Sequence, residues 1–245
     1  ATALMLSVVD GFNSGLGGGC FVLVRTPDGK VVAIDGREMS PSAAHRDLFL
    51  RNGKPDAKLS KTGALAIGIP GALAAYYQSV AELGNLKFAN LIGMAADRAE
   101  GGFAVTAAYE SKLRMVASDL AKFAGSAEVL LKPDGSIYEQ GETIVQQDLA
   151  NTYRSIAARG PAWFYNGPFA TRLEQWLKRN NGILTSRDFA NYVTVRREPI
   201  RTMYRGYEII GFPPPSSGGV HVAQILNILE SFDLKKLNAD NPAKM

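Results

Sequence analysis

Residues 20–35 read CFVLVRTPDGKVVAID. Two β-branched runs, 20–25 and 31–35, flank Thr26-Pro27-Asp28-Gly29-Lys30. Proline presets φ and glycine accepts a positive one, so the stretch predicts a hairpin. The same turn chemistry in VLLKPDGSIY, residues 129–138, predicts a second hairpin. Ser40-Pro41 reads as the cap and first position of a short helix running to Leu50. Helical patterns follow over Pro70–Gly84 and over Phe88–Glu100, the latter closed by Gly101-Gly102, and then over 106–123, 146–159 and 168–180. In 146–159, Leu149, Tyr153, Ile156 and Ala157 share one face, which predicts that this face meets the core. Thr185-Ser186-Arg187-Asp188 resembles a capping box with Asp in place of Glu. Strands are expected near 192–196, 199–204 and 206–212, and a final apolar helix from Gly218 to Ser231. Strands, a helical middle and strands again predict one α+β domain with a helical excursion rather than βαβ repeats.

Composition narrows the function classes. Across 245 residues, 46% are hydrophobic and 20% charged, which fits a globular chain and excludes a disordered one. The net charge of +4 is spread along the chain, so no nucleic-acid partner is expected. A single Cys excludes an internal disulfide framework and a cysteine-built zinc site, and two His exclude most histidine-rich metal sites. No metal and no cofactor are expected. No run is long and apolar enough to span a bilayer. The chain opens on ATALMLSVVDGF with no cap or basic stretch ahead of it, and FDLKKLNADNPAKM shows no closing element. Both ends read as cuts through a longer protein.

The common catalytic signatures are absent: G-x-S-x-G, S-x-x-K, H-E-x-x-H and G-x-x-x-x-G-K-[ST] do not occur. Asn13 to Cys20 places four glycines ahead of the first strand. Such a loop lets a backbone or ligand approach and can hold an anion on its N–H groups, or it is a tight turn into the strand. Cys20 is a candidate nucleophile with His221 or His45 as base, but its position before FVLV reads better as a small core residue. Arg37 emerges at a strand end in Asp35-Gly36-Arg37-Glu38. A guanidinium grips a carboxylate through two parallel hydrogen bonds, which a lysine cannot do; the plainer reading pairs Arg37 with Glu38 or Asp35 at the surface. In Pro213-Pro214-Pro215-Ser216-Ser217-Gly218-Gly219 the prolines stiffen a connector, a serine caps the last helix and the glycines permit close packing. A helix start of this kind can also bind an anion. His221 on that helix reads as a packing residue.

GLGGGCFVLVRTPDGKVVAIDGREMSP (15–41), GALAIGIPGALAA (63–75), GPAWFYNGPFA (160–170) and the run from ILTSRDF through PPPSSGGVHVAQILNILESFDL (183–234) together resemble the large subunit of γ-glutamyltranspeptidases, over nearly the whole chain. The D-G-R-E-M-S-P and P-P-P-S-S-G-G segments are the specific ones. The resemblance implies an αββα sandwich of the N-terminal-nucleophile hydrolase type, incomplete here, with residues 1–245 forming a partial large subunit. It implies a precursor that cleaves itself and frees a threonine at the start of a small subunit. That threonine attacks a γ-glutamyl donor such as glutathione, and the acyl group passes to water or to an amino-acid or peptide amine. Arg37 matches the family's binder of the donor α-carboxylate, with Glu38 orienting it. None of Thr2, Thr26, Thr62, Thr106, Thr143, Thr152, Thr171, Thr185, Thr194 and Thr202 sits in the nucleophile's context. No catalytic residue is therefore expected in this chain, which alone should be inactive, its partner being its own small subunit. Cys20 stands where many relatives have Gly. Family members are usually periplasmic or extracellular. Two rival expectations remain: an acylase paralogue acting on cephalosporin, glutaryl or poly-γ-glutamate substrates, and a non-catalytic binding domain.

Overall fold

The computed structural model describes residues 1–234. The 235–245 stretch, where the sequence shows no closing element, lies outside the described residues. In chain order the elements are α1 (Thr2–Val9), β1 (Cys20–Arg25), β2 (Val31–Gly36), β3 (Leu50–Arg51), β4 (Lys54–Pro55), α2 (Ala72–Leu83), α3 (Phe88–Gly101), β5 (Phe103–Ala104), α4 (Ala107–Leu120), α5 (Ala124–Leu130), β6 (Thr143–Ile144), α6 (Gln147–Arg159), α7 (Ala162–Tyr165), α8 (Pro168–Arg179), α9 (Ser186–Ala190), β7 (Val195–Arg197), β8 (Ile200–Tyr204), β9 (Tyr207–Gly211) and α10 (Gly218–Glu230). The fold is mixed α/β, with a helical middle between two strand-bearing regions. Among the described residues, contacts divide the chain into two units: residues 1–20 with 37–193, and residues 21–36 with 194–234.

The first unit holds the large core. Ile92, Ala95, Ala96 and Ala99 of α3 and Ala150, Tyr153 and Ile156 of α6 are buried in one cluster with Phe164, Leu177 and Phe189. The predicted face of α6 does meet it: Tyr153 and Ile156 are buried, and Leu149 and Ala157 pack partly buried against the cluster. The Gln146 amide ties the start of α6 to α1 by donating to the Val8 carbonyl at 2.9 Å. The first helical position of α2 follows Pro70-Gly71, and no side chain at its cap bonds its free N–H groups. Distant groups do so: the Gly18 carbonyl accepts from Gly71 and Ala72, each at 3.0 Å, and the Tyr165 hydroxyl accepts from Ala74 at 3.2 Å. A helix start needs such partners wherever water is excluded.

Two local expectations are corrected here. Residues 40–50 form no helix but a succession of tight turns, with N–H groups bonded three residues back at Ala44, Leu48 and Leu50. Met39 is bridged to Ile69 in both directions, at 3.1 and 2.8 Å, and the Ser42 N–H goes to Asp188, so partners far along the chain set the path of this segment. The chain then turns at Asn52-Gly53 between β3 and β4. The 129–138 hairpin shrinks to a single bridge, Leu131 to Ile137, because Val129 and Leu130 finish α5.

In the second unit the first hairpin turns as predicted. Gly29 has φ of +86° and donates to the Thr26 carbonyl at 2.9 Å. The sheet order is β1-β2-β7, and β7 runs antiparallel to β2, with Ile34 opposite Arg196. Strand β7 starts later than the sequence suggests. Asp35, almost fully buried, accepts from Arg197 Nε at 3.0 Å and from its terminal nitrogen at 2.8 Å. Strands β8 and β9 form a hairpin against α10. A Cβ on Gly219 would lie 2.3 Å from the Phe212 carbonyl oxygen, so the glycines do permit close packing. The Gly218 N–H donates to the Ser216 hydroxyl at 3.3 Å.

Candidate functional site

Arg37 opens the first unit's second segment, and its side chain is exposed. Its backbone is fixed: the Tyr192 hydroxyl donates to the Arg37 carbonyl at 2.9 Å. Glu38, also exposed, lines a cleft of about 470 Å³ with Gly17, Met39, Pro41, Phe49, Leu65 and Gly68. Glu38, and not Arg37, is the member of the pair among the cleft walls. The Glu38 carboxylate reaches the glycine loop, where a Cβ on Gly18 would lie 3.4 Å from Oε1. The Gly18 carbonyl accepts from the start of α2, at Gly71 and Ala72. The loop therefore makes a close backbone contact with the start of α2 and borders the cleft through Gly17.

Helix α9 is tied to this segment by a hydrogen bond. Thr185 caps it with the predicted box: the Thr185 Oγ1 accepts from the Asp188 N–H, while Asp188 Oδ2 accepts from the Thr185 N–H at 2.8 Å and from its hydroxyl at 2.7 Å. Asp188 Oδ1 reaches beyond the box to the Ser42 N–H at 2.9 Å. Burial raises the Asp188 carboxyl, but bonds from Ser42 and Thr185 outweigh it and hold the group below the usual carboxylate range. Glu174 braces the start of α9 by accepting from the Ser186 N–H at 2.9 Å. Lys178, then the hydroxyl and N–H of Ser186, pull the Glu174 carboxyl down to about 2.

The other candidates fare differently. Cys20 is half-buried, and its thiol is bonded to the Tyr76 hydroxyl, whose pKa is pushed up to about 12 by burial first and by Cys20 second. That environment suits a small packing residue. His45 is exposed in the turns, and His221 is exposed on α10 rather than packed, which corrects its reading as a packing residue. Among the described residues no group of three His, Cys, Asp or Glu side chains is placed to hold a metal. Sequence reasoning missed the apolar cleft walls, Asp188's reach to Ser42, and Tyr192. It also missed a second cleft of about 460 Å³, which shares Gly17, Ile67 and Gly68 and adds Tyr109, Thr152 and Phe164. Only the capping box was a signal for Asp188, and it signals a local role.

A family model described as gamma-glutamyltranspeptidase matches residues 1–245. The glutathione hydrolase proenzyme of Escherichia coli (strain K12) is 39% identical over 237 residues, covering 96% of this chain and 41% of that protein. The acylase ACY 1 proenzyme of Pseudomonas sp. (strain V22) is 38% identical over 244 residues, covering 97% of this chain and 44% of the relative. The crystal structure of Helicobacter pylori gamma-glutamyltranspeptidase superposes with a TM-score of 0.94 at 36% identity, over 98% of this chain and 69% of that one. The chain thus spans about two fifths of the length of the curated relatives it matches.

Proposed function

Starting from the fact that the chain belongs to the γ-glutamyltranspeptidase family, we propose that it is part of an enzyme that hydrolyses or transfers γ-glutamyl groups from glutathione and related amides. Arg37 holds the donor's α-carboxylate, and Glu38, next to it in the chain, orients it. The observation that carries this is a single one. Arg37 presents an exposed guanidinium on a backbone pinned at its own carbonyl, at Met39 and at Ser42, beside a cleft that its neighbour Glu38 lines.

The attacking hydroxyl belongs to a threonine at the start of a second polypeptide, freed by self-cleavage of a precursor. Its Oγ attacks the γ-carbonyl, its proton passes through the α-amine to the leaving amine, and a γ-glutamyl-threonine ester remains. Water or an amino-acid or peptide amine then takes the acyl group and returns the hydroxyl. This is covalent catalysis with ping-pong kinetics. Residues 1–245 supply part of a large subunit, and the two polypeptides complete an αββα sandwich. The exposed Val222, Ile225 and Ile228 of α10, at 48, 54 and 56% accessibility, favour such a covering partner. We assign the enzyme to the periplasm or the outside of the cell, as the resemblance implies; among the described residues no helix is long and apolar enough to cross a membrane.

The test is Arg37→Ala and Arg37→Lys in the full protein. Both are expected to weaken donor use more than acceptor use, and equal loss for both substrates makes Arg37 structural. A second reading, an acylase paralogue, draws on the near-equal identity to acylase ACY 1. A glutaryl anilide, which lacks the α-amine, separates the two: preference for it over the γ-glutamyl anilide favours the acylase.

A further inference from the structure

The segment from Arg37 to Ser42 is neither helix nor regular strand, yet both its ends are held by the chain around α9. Tyr192, just past α9, donates to the Arg37 carbonyl, and Asp188, within it, accepts from the Ser42 N–H. We propose that Asp188 and Tyr192 are positioning residues that fix the peptide carrying Arg37 and so set the angle at which its guanidinium meets a carboxylate. This rests on the reading of Arg37 given above.

A helix cap alone does not account for Asp188. Oδ2 completes the capping box with Thr185, and Oδ1 is spent on a residue 146 positions away. The carboxylate therefore joins the start of α9 to the end of the Arg37 segment. Tyr192 is equally constrained. Its ring stacks on Tyr165 at 5.8 Å and 11°, and it is only 9% accessible, so the hydroxyl has a set direction. Tyr165 is in turn held by the Pro70 carbonyl and the Ala74 N–H. The result is a rigid line from the start of α2 through two tyrosines to the peptide at Arg37. Rigidity matters there because two parallel guanidinium–carboxylate bonds tolerate little misplacement; a shift of about 1 Å breaks one of them.

The test uses the full protein and four variants: Tyr192→Phe, Asp188→Asn, Arg37→Ala, and Tyr192→Phe with Arg37→Ala. Donor KM and kcat are measured with a γ-glutamyl anilide, and acceptor KM with a dipeptide. Tyr192→Phe and Asp188→Asn are each expected to raise donor KM about three- to tenfold, the effect of one lost hydrogen bond. Acceptor KM stays within about twofold. In the Arg37→Ala background, Tyr192→Phe then adds less than about twofold, because there is no guanidinium left to misplace. The same rise with and without Arg37, or a fall in melting temperature with donor KM unchanged, overturns the proposal. If Arg37→Ala is donor-selective while Tyr192→Phe and Asp188→Asn are silent, the inference fails and the carboxylate reading stands. If Arg37→Ala leaves donor KM at the wild-type value, both fail. Should Asp188→Asn not fold, Tyr192→Phe decides alone, since it keeps the ring and removes one atom.

Discussion

Replacing Tyr165 by Phe removes one oxygen from the centre of the first unit. That oxygen donates to the buried Pro70 carbonyl at 2.9 Å and accepts from the Ala74 N–H at 3.2 Å. The ring keeps its neighbours: Tyr192 stacked at 5.8 Å, and Phe164 edge-on at 5.0 Å. Packing is therefore held constant, and the change isolates the hydroxyl. Two polar groups at the start of α2 lose their partner, and each buried orphan costs about 1–3 kcal/mol. The phenylalanine no longer carries a hydroxyl out of water, which returns part of this, about 1–3 kcal/mol. A net loss of about 2 kcal/mol follows. Urea unfolding of the full protein, followed by tryptophan fluorescence, reads that loss as a lower midpoint at unchanged slope. Amide exchange at Ala74 should accelerate beyond the global change, since its N–H is the one released. A loss below about 0.5 kcal/mol, the size of an ordinary surface substitution, with unchanged exchange would show that α2 does not depend on Tyr165 for its start.

Gly219→Ala forces a Cβ to within 2.3 Å of the Phe212 carbonyl oxygen and should cost at least about 2 kcal/mol. Gly93→Ala in α3 meets no atom within 4 Å and should stabilise by about 0.5–1 kcal/mol; thermal melts of the pair check both, and equal shifts would contradict the packing described. Glu174, held at about 2 against an ordinary 4.5, contributes stability that is present above 4.5 and lost as pH falls toward 2. Glu174→Gln should therefore flatten the acid loss of stability across that window, and an unchanged slope would mean that Lys178 and Ser186 do not hold the carboxylate. The 245-residue chain expressed alone should release no amine from a γ-glutamyl anilide above background, whereas robust turnover would place the nucleophile among these residues.

Features set by neighbours in the chain were legible in the sequence. Pro27-Asp28-Gly29 turns the first hairpin because its torsional preferences are local, and Thr185 with Asp188 closes α9 for the same reason. The apolar face of α6 was readable because four side chains at helical spacing have only one way to be buried together. Ser40-Pro41 misled, because a sound local start signal was overruled by tertiary contacts: the bridge to Ile69 and the bond to Asp188 fix the path of the segment from far along the chain. The Asn52-Gly53 turn carries a hairpin signal of its own, but its strands are two residues each and leave no periodicity to notice. In the site, Arg37 stood out as a guanidinium at a strand end. Its supports did not, since Tyr192 is 155 residues away and the cleft walls come from separate stretches near Gly17, Met39, Phe49 and Gly68.

The most direct test of Arg37 as the carboxylate clamp is a crystal structure of the full, self-cleaved protein with glutamate, the hydrolysis product, bound. Two Arg37 nitrogens should lie about 2.7–2.9 Å from the two oxygens of the ligand's α-carboxylate. An α-carboxylate held by other side chains, with the Arg37 guanidinium turned toward solvent, would contradict it.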